Sequence, residues 1–381
     1  MVSVQVKYVD AGDLYVTWRW EHLRDQPRAV LVERAHVREA SAALDAAVPS
    51  PNRNESGHDA VRRALTGPLL DLGAERRLAA ALSGALLPAQ LCAELNSLLS
   101  QQIRPHLRIQ PSPSTARVPW EALAVSDAER LVHLADTSVL LPATVRNAPE
   151  RRVSTGDGPV VRVVDPVVPG FADASALGSV LGPGAPRPVV DRDSLEELLV
   201  TASRFLYVGH VTTGGHALDA RLHLSCGPDS EGRAGLVGGH RPLTAADLVL
   251  GHRAGPRRPW RIPRRVALVA CESGGDLRFA EPSGLVAALV HGGAEHVVAT
   301  RWTLPTDAGL AALVPVFPGT PVLRPAVRAI DAAQQADDPV AALNAWQRER
   351  ADEWERTGDP ACSPVVWAAF GTAWAPQSTV Y

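Results

Sequence analysis

Apolar and polar residues alternate along residues 2–9 and again along 14–20, and Asp10-Ala11-Gly12-Asp13 between them supplies turn chemistry. A period of two flanking such a turn predicts a β-hairpin. Residues 29–32 extend the pattern as a third strand. The period then lengthens to that of a helix over 37–47, 60–72, 74–86 and 89–100. Residues 107–109 read as a strand and 118–123 as a turn into a short helix, with Pro111 and Pro113 punctuating the stretch between them. The polar segment 147–159, with Pro149, Gly156, Gly158 and Pro159, predicts the main boundary. It divides an N-terminal accessory region of hairpin and helices, residues 1–150, from a second region, residues 151–381.

Beyond the boundary, strands and helices alternate. Strands are expected at 160–164, 188–190, 205–208, 266–270 and 296–299, and a short surface strand at 222–225. Helices are expected at 171–181 (weakened by Gly178), at 193–203 capped by Asp193 or Ser194, at 244–250 capped by Thr244, and at 283–291. Such alternation implies an α/β fold, a mostly parallel sheet covered on both faces. No period of 20–50 residues recurs, which argues against a solenoid.

Composition changes this picture little. The chain has 381 residues, 46% hydrophobic and 21% charged, as in an ordinary globular protein. A net charge of −3 gives no global basic field, so neither direct nucleic-acid binding nor a membrane surface is expected. Lys7 is the only lysine, and the Arg, Ala, Pro and Val bias reads as coding bias. The N-terminus lacks the pattern of a signal peptide, and no apolar run reaches membrane-spanning length. Four scattered cysteines, Cys92, Cys226, Cys271 and Cys362, argue against a disulfide framework or a zinc site and for the cytoplasm.

Two strand ends carry candidate chemistry. The apolar run 266–270 stops on Cys271 and runs into Glu272-Ser273-Gly274-Gly275; the run 205–208 passes through Gly209 to His210. Open α/β sheets build sites at the carboxyl ends of their strands. A thiol and an imidazole meeting there make a nucleophile and its base. The glycines leave backbone N–H groups able to face an oxyanion. The alternative is an inert buried cysteine and a structural histidine. His216 and His223 lie nearby without the paired spacing of a metal site. Neither turn fits a P-loop, the first strand turn Val164-Asp165-Pro166 lacks a dinucleotide fingerprint, and no G-x-S-x-G elbow is present. No cofactor is implied.

These segments, in this order, resemble the CHAT family of caspase-like, separase-related cysteine peptidases. The resemblance rests on Arg117-Val118-Pro119-Trp120-Glu121-Ala122-Leu123, Tyr207-Val208-Gly209-His210, Leu243-Thr244-Ala245-Ala246-Asp247-Leu248, the run 266–274, Gly284 to Ala294, Val297 to Trp302 followed by Asp307, and Ser363 to Phe370. It spans roughly residues 103–375. It implies a caspase-like three-layer α/β/α fold and an endopeptidase acting through His210 and Cys271, with the backbone N–H groups of Cys271 and Val211 as oxyanion hole. The family usually has glycine where this chain has Val211, whose side chain could crowd the scissile carbonyl. By the same analogy Asp165 and Val269 line the pocket for the residue before the cut, an acidic Asp165 favouring Arg or Lys there; Asp165 could equally cap the turn before Pro166. Trp302 and Asp307 are expected to wall the peptide groove, Trp302 having packing as its alternative. A protein substrate, a separate sensor or regulator and a bacterial defence setting complete the expectation. The competing class is a catalytically inactive or weak scaffold serving as an interaction or signalling module.

Overall fold

The computed structural model describes residues 2–52, 54–170, 180, 187–279, 282–313 and 321–377. Its strands among these residues are β1 (Ser3–Ala11), β2 (Asp13–Trp20), β3 (Arg28–Val32), β4 (His106–Gln110), β5 (Asp136–Val139), β6 (Val160–Val164), β7 (Arg204–Val208), β8 (Val211–Thr212), β9 (Arg221–Leu222), β10 (Leu243–Thr244), β11 (Arg265–Val269), β12 (His296–Thr300) and β13 (Phe370–Trp374). Ten of them form one sheet in the order β3-β2-β1-β4-β5-β13-β12-β11-β7-β6, and β8, β9 and β10 form a small second sheet. The β1–β2, β2–β3 and β12–β13 pairs are antiparallel and the other pairs of the large sheet parallel. The sheet therefore runs unbroken across the boundary at residue 150, joined where β13 of the second region lies beside β5 of the first.

Alternation along the central strands sorts their side chains into two cores. Leu206, Val208, Ala267, Val269 and Val298 belong to one cluster; Phe205, Tyr207, Val266, Leu268 and Val297 belong to the other. Helices Leu72–Leu86, Leu323–Ala333 and Pro339–Thr357 supply the first layer's apolar residues. Helices Arg192–Thr201, Ala245–Leu250 and Leu285–His291 supply the second's. Strands covered on both faces need no polar face, which is why residues 266–270 are apolar at every position.

Several expectations change. The helix of 60–72 ends at Leu65 and resumes as the 3-10 turn Pro68–Leu70; Pro68 forces Gly67 into extended backbone. The cap of Arg192–Thr201 is Asp191, which accepts the Ser194 N–H at 2.9 Å, rather than Asp193 or Ser194. Residues 188–190 form no ladder; Val190 instead exchanges single hydrogen bonds with Ser225. Residues 222–225 are not a surface strand. Only Leu222 pairs, within β9, and Leu222, His223 and Leu224 are buried. The helix expected at 171–181 lies outside the described residues, apart from Val180. Strand β5, helices Leu323–Ala333 and Pro339–Thr357, and strand β13 were not expected from periodicity.

Near the β5–β13 junction a buried ion pair ties the two regions together. Arg301, directly after β12, donates to Glu121 at 2.9 Å and to the carbonyls of Ala368 and Phe370 at 2.9 and 2.8 Å. Glu121 also accepts from Thr137 of β5 at 3.1 Å. Gly371 is required beside it, because a Cβ there would lie 2.7 Å from the Arg301 guanidinium. Removing one partner of such a pair leaves the other charge buried and uncompensated. Glu121→Ala is expected to cost about 3–5 kcal/mol in urea unfolding. The Glu121→Leu, Arg301→Met double replacement should cost much less than the two single losses added together.

Candidate active site

The register of β7 against β11 creates the site. The two strands run parallel from Arg204 opposite Arg265 to Val208 opposite Val269. One residue further, the Gly209 N–H still donates to the Val269 carbonyl at 3.3 Å. His210 and Cys271 thus each follow the last matched pair by two residues, on adjacent strands of one sheet edge. Neighbouring strands lie about 4.8 Å apart.

Tyr207 fixes the histidine side. Its ring is fully buried, and its hydroxyl accepts the His210 N–H at 3.1 Å. The hydroxyl proton faces the carbonyls of His210 at 3.0 Å and His223 at 2.7 Å. Burial holds this phenol far above its usual range, so it stays a neutral anchor. A Cβ on Gly209 would lie 2.5 Å from the Tyr207 hydroxyl oxygen, so only glycine lets the chain fold back over it. The His223 N–H donates to the His210 carbonyl at 3.1 Å. That bond puts Val211 at a non-hydrogen-bonded position of the β8–β9 pair, with its N–H directed away from β9. The Val211 side chain is buried in the cluster that holds Tyr207 and Leu222.

A compact set of bonds to the end of β12 fixes the cysteine side. The N–H groups of Glu272 and Gly274 donate to the carbonyls of Trp302 and Thr300 at 3.2 and 2.9 Å. Ser273 Oγ donates to the Leu268 carbonyl at 2.9 Å and accepts the Thr300 N–H at 3.0 Å, while Thr300 Oγ1 donates to the Ala270 carbonyl. Glu272 is held at φ +50°, a left-handed conformation that costs a residue with a Cβ about 1–2 kcal/mol. Asp165 at the tip of β6 has the same φ of +50°. Strained residues at two tips of one sheet edge suit a functional site. Cys271 itself is half-buried, its Sγ 3.9 Å from the Leu304 carbonyl. Burial pushes its thiol above the usual range, and the Glu272 charge adds to the shift. A base is therefore needed to make the thiolate.

The CHAT domain family model matches residues 76–375. The chain belongs to the CHAT domain family. No curated protein sequence matches it. Two crystal structures of the Saccharomyces cerevisiae separase–securin complex are similar to it, at 12% identity and TM-score 0.45 and at 11% and 0.47. Each match covers 98% of this chain but only 30% of the separase–securin chain, so the CHAT chain spans under a third of that length. Its fold is the α/β/α arrangement described above.

Around the CHAT strand tips, the remaining expected residues fall in different places. Asp165 is almost fully buried, its N–H bonded to the Val208 carbonyl at 2.6 Å and its carboxylate 3.7 Å from Arg187. Val269 is buried within β11. The Trp302 side chain does not wall a groove. It has no exposed surface, packs in the core and donates to the Val365 carbonyl at 2.9 Å. Only its own carbonyl serves the site, through Glu272. Asp307 begins helix Asp307–Leu313 and accepts the N–H groups of Val322 and Leu323 at 2.6 and 2.7 Å, anchoring the next helix.

Two features near the site had no clear sequence signal. His223 and His240 are buried against each other, Nδ1 to Nε2 at 2.8 Å, and Thr212 Oγ1 lies 2.9 Å from His223 Nε2. Burial, then the neighbouring His240, push His223 down to about 3, so it is neutral. Asp276 is buried five residues after Cys271, accepting the Ala287 N–H at 3.0 Å. Burial raises its carboxyl to about 6.

Two outcomes follow. Gly209→Ala must displace the Tyr207 hydroxyl, and about 1–3 kcal/mol of stability should be lost. Alkylation of Cys271 in that variant should differ from the parent's, read by mass spectrometry. The folded chain retains the Asp276 proton where the unfolded chain, with an ordinary value of 3.8, has lost it. Stability from this group therefore falls as pH rises from about 4 to about 6. Asp276→Asn should gain stability relative to the parent between pH 4 and pH 7, by at most about 3 kcal/mol. Urea midpoints of both proteins across that range measure the gain.

Proposed function

We propose that this CHAT chain is a cysteine endopeptidase. The observation that carries the reading is the β7–β11 register, which puts an imidazole and a thiol on neighbouring strand tips. In the proposed reaction His210 takes the Cys271 proton and the thiolate attacks the scissile carbonyl. The tetrahedral intermediate collapses as His210 protonates the leaving amine, and water then hydrolyses the thioester. The developing oxyanion would be met by the N–H groups of Cys271 and Val211. Two observations support that role: the Val211 N–H is directed away from β9, and its side chain is committed to the core rather than to the carbonyl's side. Asp165 is our candidate for recognising a basic residue before the cut, with Arg187 already sharing its carboxylate.

The substrate in this reading is a protein, and a separate sensor or regulator releases the activity, in a bacterial defence setting in the cytoplasm. Family membership is the support for that setting. Among the described residues no single helix is long and apolar enough to cross a membrane. A second reading, an inactive CHAT module that only binds partners, draws on the raised Cys271 thiol and its contact with the Leu304 carbonyl.

A peptide-library cleavage screen separates the two readings. The parent should cut after a defined residue type, and Cys271→Ala should cut nothing. His210→Ala should lose about a hundredfold or more in rate. A tagged electrophilic probe should label Cys271, and a peptide aldehyde should block the labelling. Undiminished cleavage by Cys271→Ala would overturn the proposal.

A further inference from the structure

A cavity of about 520 Å³ lies between the N-terminal hairpin, helix Arg34–Ala47 and the turn after Cys271. Four arginines line it: Arg34, Arg38, Arg117 and Arg278. Of its acidic lining residues Asp45 is in an ion pair with Arg117, and Asp10 and Asp13 accept hydrogen bonds from neutral groups. Asp10 accepts from the Ser112 hydroxyl at 3.1 Å and from the Ser114 N–H at 3.1 Å. Asp13 accepts the Arg34 N–H at 3.0 Å, and Asp45 accepts from Arg117 at 3.0 Å. Among the described residues Arg34 and Arg38 form no ion pair, although they stand one helical turn apart on the cavity wall. The volume lies within the usual range for small-molecule sites.

Two of the same arginines reach the nucleophile's neighbour. Arg278 lies 3.0 Å from one Glu272 oxygen and Arg117 lies 3.6 Å from the other. Glu272 is buried, it directly follows Cys271, and its backbone is already held in the left-handed region. Arg117 and Arg278 therefore face the cavity and neutralise Glu272 at once.

We infer that this cavity binds a small polyanion, a molecule with two or more phosphate or carboxylate groups, and that its occupancy reaches Cys271 through Glu272. Among the described residues Arg34 and Arg38 supply the cationic wall with charge that no carboxylate pairs within 4 Å. The bound anion competes with Glu272 for Arg117 and Arg278. Glu272 then faces the thiol less compensated, which disfavours the thiolate and slows its reactions. The polyanion is an inhibitor of this centre.

The test uses the full chain at low salt, with tripolyphosphate and citrate as the two probes. Calorimetry reads binding, and the rate of Cys271 alkylation by iodoacetamide reads the coupling. The parent should bind at least one probe saturably. Arg34→Ser with Arg38→Ser, both exposed and neither touching Glu272, should bind it about tenfold more weakly, with unchanged alkylation in the absence of anion. At saturation, alkylation in the parent should slow by about threefold or more, the effect of half a pKa unit. A response to tripolyphosphate alone identifies a phosphate site, one to citrate alone a carboxylate site. Absence of saturable binding of both probes by about 1 mM, or equal binding by the double variant, overturns the site. Binding without any change in alkylation overturns the coupling. Neither readout requires peptide cleavage, so a negative result here leaves the peptidase proposal standing.

Discussion

Five matched residue pairs between β7 and β11 are the constraint on which the rest of the site depends. Side chains alternate faces along a strand, so a one-residue slip would exchange Leu206 and Val208 with Phe205 and Tyr207 between the two cores. Both cores are filled on both faces, and such a slip would misplace four large side chains at once. Hydrophobic burial thus sets the register, and the register sets which residues follow the last pair. His210 and Cys271 are brought to neighbouring strand tips by residues that have no reactive groups themselves.

At the site, polar anchoring begins where the β7–β11 ladder ends. Inside the sheet the backbone ladder satisfies its own donors and acceptors; beyond the last pair it cannot, and unpaired buried amides are costly. The Tyr207 hydroxyl and the Ser273–Thr300 hydroxyl pair take over there, one on each side of the site. Ser273 and Thr300 are short and the Tyr207 ring is rigid and buried, so each fixes a turn without a flexible arm. Gly209 and Gly274 are the counterparts. A Cβ at the first would strike Tyr207, and one at the second would come within 3.1 Å of the Thr300 carbonyl oxygen.

Much of this was legible in the sequence because buried parallel strands write themselves as short apolar runs. β6, β7, β11 and β12 fell within a residue or so of their expected limits, and the hairpin of β1 and β2 was visible from its alternation and Gly12. Strand β5, Asp136-Thr137-Ser138-Val139, was not legible. Its polar residues are satisfied by tertiary partners such as Glu121, Asn344 and His106, which a local window cannot see. The same reason hid the joining of the two regions, since β13 meets β5 across more than two hundred residues. For Trp302 the sequence left groove wall and packing open, because adjacency to a strand tip says nothing about which way an indole turns; the indole is buried. Asp276 and the His223–His240 pair carry no local pattern; their partners, the Ala287 N–H and the opposing imidazole, lie 11 and 17 residues away.

The segment Arg117-Val118-Pro119-Trp120-Glu121-Ala122-Leu123 shows how an accessory region becomes part of a site. Trp120 packs against Tyr8 of β1 with ring centroids 4.8 Å apart, Glu121 holds Arg301 at the end of β12, and Arg117 faces Glu272 beside Cys271. One short stretch therefore touches the hairpin core, the central sheet and the turn after Cys271. Its apolar member contributes burial, worth about 1.5–3 kcal/mol for a large side chain. Its charged members are costly to bury and are retained at two points where the chain must meet a distant partner in one geometry. A change in how the N-terminal hairpin packs on Trp120 would move Arg117 and Glu121 together, because only Val118, Pro119 and Trp120 separate them. Side-chain contacts within 5 Å thus join this segment to β1, to Arg301 after β12 and to Glu272 next to Cys271.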